Sequence, residues 1–172
     1  ARLNTKLADF ANVTATGAYT TIGFGGLQQK IAQRARENTA LFDVSANIVA
    51  DKFLPEKLGI KVPLTVQYGT LNSEPQFDPL DKDVPLEESL TRFDSDEAKR
   101  EYRKEVTTRE TRKSISLLNV RKERTDPEDK VQPYDIENFS FSYSYGERLF
   151  TNIETDRDFT KTYNGAIAYT YN

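Results

Sequence analysis

Residues 139–145 read Phe-Ser-Phe-Ser-Tyr-Ser-Tyr, so a large aromatic side chain alternates with a serine throughout the stretch. Successive residues of a β-strand point to opposite faces, and this period of two therefore predicts a strand with one apolar and one small polar face. In a soluble sandwich the aromatic face would pack into a core. In an outer-membrane barrel it would meet lipid, while the serines would face a wet lumen. The stretch alone leaves both alternatives open.

The same alternation recurs along the chain. Apolar residues occupy every second position in residues 42–48, 60–68 and 163–171, and more weakly in residues 114–117. Pro63 interrupts the second stretch, and a proline inside a strand usually marks an edge or a bulge. In the N-terminal stretch the apolar phase slips, which a β-bulge would explain. We expect strands near residues 2–20, 39–51, 58–71, 112–121, 134–148 and 160–172.

Two of the connections predict helices. The loop at 21–38 carries an apolar residue at every fourth position on a charged body. The loop at 72–111 contains a stronger amphipathic pattern near 95–109, where Asp94 and Glu97 have the spacing of a capping box. Both helices are polar enough to lie on a surface.

Composition narrows the possible functions. The chain has 172 residues, a net charge of −3, 30% charged residues, and no cysteine, histidine or methionine. Without a basic footprint we predict no nucleic-acid partner. The nucleophile–histidine and zinc-ligand sets lack their usual members, so we predict no enzyme and no cofactor. No apolar run approaches the ~18 residues of a membrane helix, so any crossing of a membrane would use strands.

Two short motifs resemble known binding sites, one for phosphate and one for calcium. The glycines in residues 23–26 suggest a phosphate loop, but the dinucleotide fingerprint needs glycine where the chain has Gln28, and a turn is favoured. Asp78, Asp81 and Asp83 could supply oxygen ligands to calcium, but they lack the ligand spacing and central glycine of an EF-hand loop. A solvated acidic loop is the favoured interpretation. We predict no catalytic, cofactor-binding or metal-binding residues.

Longer blocks of the sequence resemble one family. They include GFGGLQQKIAQR at 23–34, FLPEKLGIKVP at 53–63 and YDIENFSFSYSY at 134–145, in the order that the family has them. These blocks are similar to an internal region of the SprA/Sov proteins, the very large outer-membrane translocons of the Bacteroidota type IX secretion system, which are also tied to gliding motility. The resemblance covers nearly the whole chain and is weakest in the acidic connection at 74–94.

The resemblance implies an all-β fold. Residues 1–172 would be a fragment of one large transmembrane β-barrel domain, with antiparallel up-and-down strands and helical insertions in the long loops. The implied function is export of folded cargo proteins across the outer membrane. The implied partners are the remainder of the barrel, a PorV-like shuttle, a periplasmic plug, secreted cargo and the lipid bilayer. The alternatives are a soluble secreted β-rich binding module and a segment of a porin or nutrient-transporter barrel.

On this interpretation one face of the strands meets lipid. The predicted lipid-facing residues are Ile60, Val62, Leu64, Val66, Tyr68, Phe139, Phe141, Tyr143, Tyr145, Tyr163, Ile167, Tyr169 and Tyr171. Up-and-down strands place successive connections on opposite sides of the membrane, with the long loops outside. This predicts residues 52–57 and 122–133 in the periplasm. The connections at 21–38, 72–111 and 149–159 would lie at the cell surface.

Overall fold

The fold is taken from a computed structural model, which describes residues 1–24, 28, 36–125, 130 and 132–171. Over these residues all strands belong to one antiparallel sheet. The strands are β1 (Arg2–Leu7), β2 (Ala11–Thr20), β3 (Glu37–Val49), β4 (Ile60–Lys61), β5 (Pro63–Pro75), β6 (Thr108–Lys122), β7 (Phe139–Thr151) and β8 (Asp158–Tyr169). Their order across the sheet is β1-β2-β3-β5-β6-β7-β8, with the short β4 beside β6.

The strand order confirms the prediction of an all-β, up-and-down arrangement. Each long strand pairs with the next long strand along the chain, and every pairing is antiparallel. The sheet is open, and among the described residues the outer edges of β1 and β8 have no partner strand. These strands therefore do not close a barrel by themselves.

The N-terminal segment is a hairpin, so the single bulged strand predicted over residues 2–20 is wrong. Leu7 of β1 pairs with Ala11 of β2 across a turn in which Ala8 has a φ of 47°. The slip in the apolar phase marks this turn. The bulge in the sheet lies instead in β6, where the pairing with β7 shifts between Leu117 and Val120.

Pro63 is accommodated because it begins a strand. It pairs with Val49 as the first residue of β5. The preceding residue, Val62, lies outside both β4 and β5, and its N–H donates to Asp51 Oδ1 at 3.3 Å. The strand predicted over 58–71 is therefore two strands, and the proline stands where a missing ladder donor costs little.

Two helices lie in the connection between β5 and β6: α1 (Leu86–Leu90), which was not predicted, and α2 (Asp96–Val106). The N-cap of α2 is Ser95, whose Oγ accepts a hydrogen bond from Ala98 N–H at 3.1 Å, so the expectation for Asp94 is wrong. Short 3-10 helices span Ala50–Phe53, Glu56–Leu58 and Ile136–Asn138. The helix predicted in the loop at 21–38 lies largely outside the described residues. No helix in the described part of the chain has both the length and the apolar character needed to span a bilayer.

The apolar core lies in the insert, which we define as residues 76–107, and not in the sheet. Leu86, Leu90 and Val106 are buried together. In the sheet, Ala11 is the single buried apolar residue among those described. The sheet is thus one layer with both faces open, and the described residues do not supply the second sheet that a soluble sandwich requires.

Candidate functional site: the two faces of the sheet

Strand register aligns the predicted apolar positions on one side of the sheet. Val66 of β5 pairs with Ala46 of β3 and with Ile115 of β6. Ile115 pairs with Tyr145, which in turn pairs with Tyr163. Directly paired residues project to the same face. One apolar row therefore crosses five strands.

We call this side the aromatic face. Its larger members are Phe42, Val44, Leu64, Val66, Tyr68, Ile115, Leu117, Phe139, Phe141, Tyr143, Tyr145, Phe159, Tyr163, Ile167 and Tyr169. Phe139 packs against Tyr169, and Tyr145 against Tyr163, as tilted ring pairs with centroids 5.0 Å apart in both cases. Ile167 remains 71% exposed. Exposed apolar patches of this extent usually mark contact with a partner or a membrane.

The structure unites most of the predicted lipid-facing residues on this face. Three lie beside it: Ile60 in β4, Val62 in the break before β5, and Tyr171 beyond the end of β8. Sequence reasoning did not assign Phe42 or Ile115 to the face. Their own strands alternate, but only the pairing between strands shows which alternating set shares a side with which.

The opposite side, which we call the polar face, carries small polar residues joined across strands. Thr65 Oγ1 donates to Asn47 Oδ1 at 2.9 Å. On neighbouring strands, Ser114 Oγ donates to Gln67 Oε1 at 3.3 Å. The serines of residues 139–145 lie on this face, as their alternation predicts. Over the middle of the strands it is a water-compatible surface, and its larger apolar residues, Leu41, Leu71 and Phe150, lie in one row near the insert end.

A charged network crosses the polar face toward one end of the strands. Glu110 of β6 accepts hydrogen bonds from Arg112 and, at 3.0 Å, from Arg148 of β7. Arg148 also contacts Asp158 of β8 at 3.2 Å. No sequence motif signals this network, because Glu110 and Arg148 are 38 positions apart and meet only through register.

A trough of about 470 Å³ lies beside this network. Asp43, Gly69, Arg112 and Arg148 contribute to its lining. Gly69 allows Asp43 to approach the strand closely, since a Cβ at position 69 would lie 2.4 Å from Asp43 Oδ1 and the carboxylate would have to shift. The face can therefore hold charged as well as neutral groups in contact with water.

The insert is built around a buried carboxylate. Asp78 is only 4% exposed, so the prediction of a solvated acidic loop is wrong at this residue. Tyr102 Oη donates to both of its oxygens, at 2.7 and 2.8 Å, and Leu80 N–H donates to Oδ1 at 2.9 Å. Burial alone would raise the pKa of Asp78, but the hydrogen bonds outweigh it and hold the pKa below its usual value. Burial and the bond to Asp78 raise the pKa of Tyr102 to about 12.

Two of the three aspartates that could supply oxygen ligands, Asp78 and Asp81, contact other residues of the insert. The carboxylate of Asp78 is engaged by Tyr102 and Leu80 as described, and Asp81 lies 3.4 Å from Arg92. No group of three or more potential metal-binding side chains converges in the part of the chain that the structure describes. In the glycine-rich stretch, Gly23 has a φ of 81° in a turn; Gly25 and Gly26 lie outside the described residues.

The connections alternate between the two ends of the sheet. The turn at 8–10 and the connections at 50–62 and 123–138 share one end, which we call the junction end. The insert and the turn at 152–157 share the other, the insert end. The predicted grouping of 52–57 with 122–133, and of 72–111 with 149–159, is therefore correct with respect to the sheet.

Comparison with known families adds one match. A family described as motility related/secretion protein, SprA_N, matches residues 1–90. This is 90 of 172 residues, just over half of the chain. The matched part contains β1 to β5 and reaches the end of α1. No curated protein matches the chain.

Proposed function

The chain belongs to the SprA_N family of motility-related and secretion proteins, and from this membership we propose that it forms part of an outer-membrane translocon of the type IX secretion system. In this proposal the strands are a segment of the wall of a large β-barrel that exports folded cargo proteins. The segment supplies a wall and no catalytic group. The edges of β1 and β8 pair with neighbouring strands of the same barrel, which satisfies the unpaired backbone groups that an open sheet would leave.

The observation that carries the proposal is the contrast between two uncovered faces. The aromatic face runs unbroken across the long strands, and the polar face behind it is lined by serine, threonine and paired charges. A soluble domain would have to bury the aromatic face. A barrel wall does not, because lipid covers that face while water fills the pore.

The partners proposed with this function are the remainder of the barrel, a PorV-like shuttle, a periplasmic plug, the secreted cargo and the outer-membrane lipid. The insert and the turn at 152–157 would lie at the cell surface. The junction end would lie in the periplasm, because outer-membrane barrels keep short turns there and long loops outside.

An export experiment tests the function. In the full-length protein, Phe141→Arg places a charge on the aromatic face, at a cost of roughly 2–4 kcal/mol if the site lies near mid-bilayer. We expect less protein in the outer membrane and less cargo in the medium. Ser142→Arg, one residue away on the polar face, is the matched control and should preserve both. Equal loss in the two variants would contradict the proposal.

A labelling experiment tests the orientation. Single cysteines at Glu101 in α2 and Glu56 at the junction end would be introduced into an otherwise cysteine-free full-length protein. Both side chains are exposed. A membrane-impermeant maleimide added to intact cells should label position 101 and spare position 56. The reverse pattern would invert the orientation while leaving the barrel proposal standing.

A further inference from the structure

A row that contains charged residues crosses the aromatic face near its insert end. Glu147 of β7 pairs with Lys113 of β6 on one side and with Lys161 of β8 on the other. The row directly before it contains Tyr145 and Tyr163. Two lysines thus stand close to the insert end of the aromatic face. One further row, which contains Phe42, Leu149 and Phe159, lies beyond them.

Glu147 does not form an ion pair with either lysine. Its Oε1 accepts a hydrogen bond from Tyr145 Oη, which holds the carboxylate toward the aromatic side of the row. Within the described residues, no carboxylate lies within the 4.0 Å ion-pair distance of Lys113 or Lys161. Both ammonium groups therefore remain available to an outside anion.

A third cation lies on the same patch. Arg157 Cζ lies 5.3 Å from the ring centroid of Phe159, and Lys161 Nζ lies 5.2 Å from the same centroid. The adjacent acid, Asp158, points to the polar face, where it contacts Arg148. Two cations held against one ring repel each other, and an anion bound between them would relieve that repulsion.

We propose that Lys113, Arg157 and Lys161, which we call the cationic border, bind the phosphate of an anionic lipid headgroup at the membrane surface. This inference rests on the proposed function, because it needs the aromatic face to meet lipid. The three cations exceed the single negative charge of Glu147, so the patch has a net positive charge that attracts a phosphate. Long basic side chains can keep their stems on apolar surface and present their charged ends at headgroup level.

The neighbouring surface favours a lipid over free phosphate. Directly next to the border, the packed rings of Tyr145 and Tyr163 belong to the apolar surface on which acyl chains would lie. Phe159, 40% exposed, lies between two members of the border, Arg157 and Lys161, and adds apolar surface there. Inorganic phosphate could use the three cations but would gain nothing from the rings. A lipid uses both.

The test measures lipid binding to the purified full-length protein. Native mass spectrometry would follow titrations with phosphatidylglycerol, with zwitterionic phosphatidylcholine of the same acyl chains, and with inorganic phosphate. The variant is Lys113→Gln/Arg157→Gln/Lys161→Gln. The matched control is Lys52→Gln/Lys57→Gln/Lys82→Gln, which removes three exposed cations from the connections and the insert.

We expect phosphatidylglycerol to bind the wild type and the control equally. A surface cation near an anionic membrane contributes about five-fold in affinity, so the border variant should bind roughly a hundred-fold more weakly. Equal binding by both variants would overturn the inference, as would equal affinity for the zwitterionic lipid. Displacement of the lipid by the same molar concentration of inorganic phosphate would show that free phosphate is the ligand.

The failure of this inference can be told apart from failure of the proposed function. If oxygen does not reach a spin label at position 141 in bilayers, the aromatic face does not meet lipid and the proposed function fails. If oxygen reaches the label but the border variant binds phosphatidylglycerol as the wild type does, then the cationic border is not a lipid site, and the lipid-facing sheet still stands.

Discussion

The insert buries its large apolar side chains, whereas the sheet exposes many of its own. The insert is small, yet it buries Leu86, Leu90 and Val106 and encloses the carboxylate of Asp78. The sheet is much larger than the insert, yet it leaves Ile167 71% exposed. Burial of apolar area is the main stabilising term in folding. The insert gains that term from its own contacts, whereas the sheet must gain it from its surroundings.

This difference predicts two kinds of sensitivity. Substitutions in the insert should act through packing and hydrogen bonds, and should do so whether the protein is in lipid or in detergent. Substitutions on the aromatic face should depend on what covers that face.

Leu86→Ala should destabilise the insert by about 2–5 kcal/mol, because it opens a cavity among buried side chains. Leu86 is 2% exposed, whereas Leu80 in the same insert is 72% exposed. Hydrogen exchange of the full-length protein should show lost protection in α1 and α2 and unchanged protection in β7. Leu80→Ala is the control and should have little effect. Equal effects at the two leucines would mean that the insert has no core of its own.

Tyr102→Phe should cost roughly 1.5–3 kcal/mol, since it removes the hydroxyl that donates to the charged Asp78. In limited proteolysis of the full-length protein, we expect faster cleavage within α2 and an unchanged rate of cleavage within β7. Tyr134→Phe is the control, because Tyr134 lies outside the insert and is 80% exposed. Unchanged resistance of α2 would contradict the role given to the Asp78–Tyr102 contact.

The same contact predicts how the stability of the insert depends on pH. The pKa of Asp78 is lowered, so its contribution is present above the unfolded value near 4 and is lost as the pH falls through the folded pKa. The pKa of Tyr102 is raised to about 12, so its contribution is complete below about pH 10 and is lost as the pH rises toward 12. Proteolysis of α2 by pepsin at about pH 3, and by subtilisin at about pH 7 and 11, should be slowest at pH 7. Resistance that did not vary with pH would contradict this.

Gly59→Ala should have a smaller effect, confined to the junction end. Gly59 has a φ of 60°, and an added Cβ would lie 2.4 Å from the carbonyl oxygen of Glu123. A left-handed conformation alone costs about 1–2 kcal/mol for a residue with a Cβ. Gly165→Ala is the control, since a Cβ there would meet no atom within 4 Å. Refolding stability in lipid should fall for the first variant and stay near wild type for the second; equal stability would contradict the junction geometry.

The sequence reveals features that repeat locally. A period of two is a property of one strand, so residues 139–145 predicted both a strand and its two faces. The amphipathic pattern near 95–109 likewise predicted α2, although Asp94 and Ser95 are both good caps and the pattern could not choose between them. Pairing between strands is not a local property, which is why Ile115 was not assigned to the aromatic face.

Other features depend on contacts between distant residues. Tyr102 reaches Asp78 across 24 positions, and the burial of that carboxylate has no local signal. The N-terminal hairpin was missed because its turn, residues 8–10, contains neither glycine nor proline. The charged row at Lys113 arises only when three strands are in register, and no single strand shows it.

In the barrel that we propose, the aromatic face meets lipid and the polar face meets water. Spin labels at positions 141 and 142 of the full-length protein in bilayers test it most directly, because the two side chains are neighbours on opposite faces. We expect apolar oxygen to relax the label at 141 strongly and a polar nickel chelate to relax the label at 142. Equal access of the nickel chelate to both labels, or the reverse preference, would contradict it.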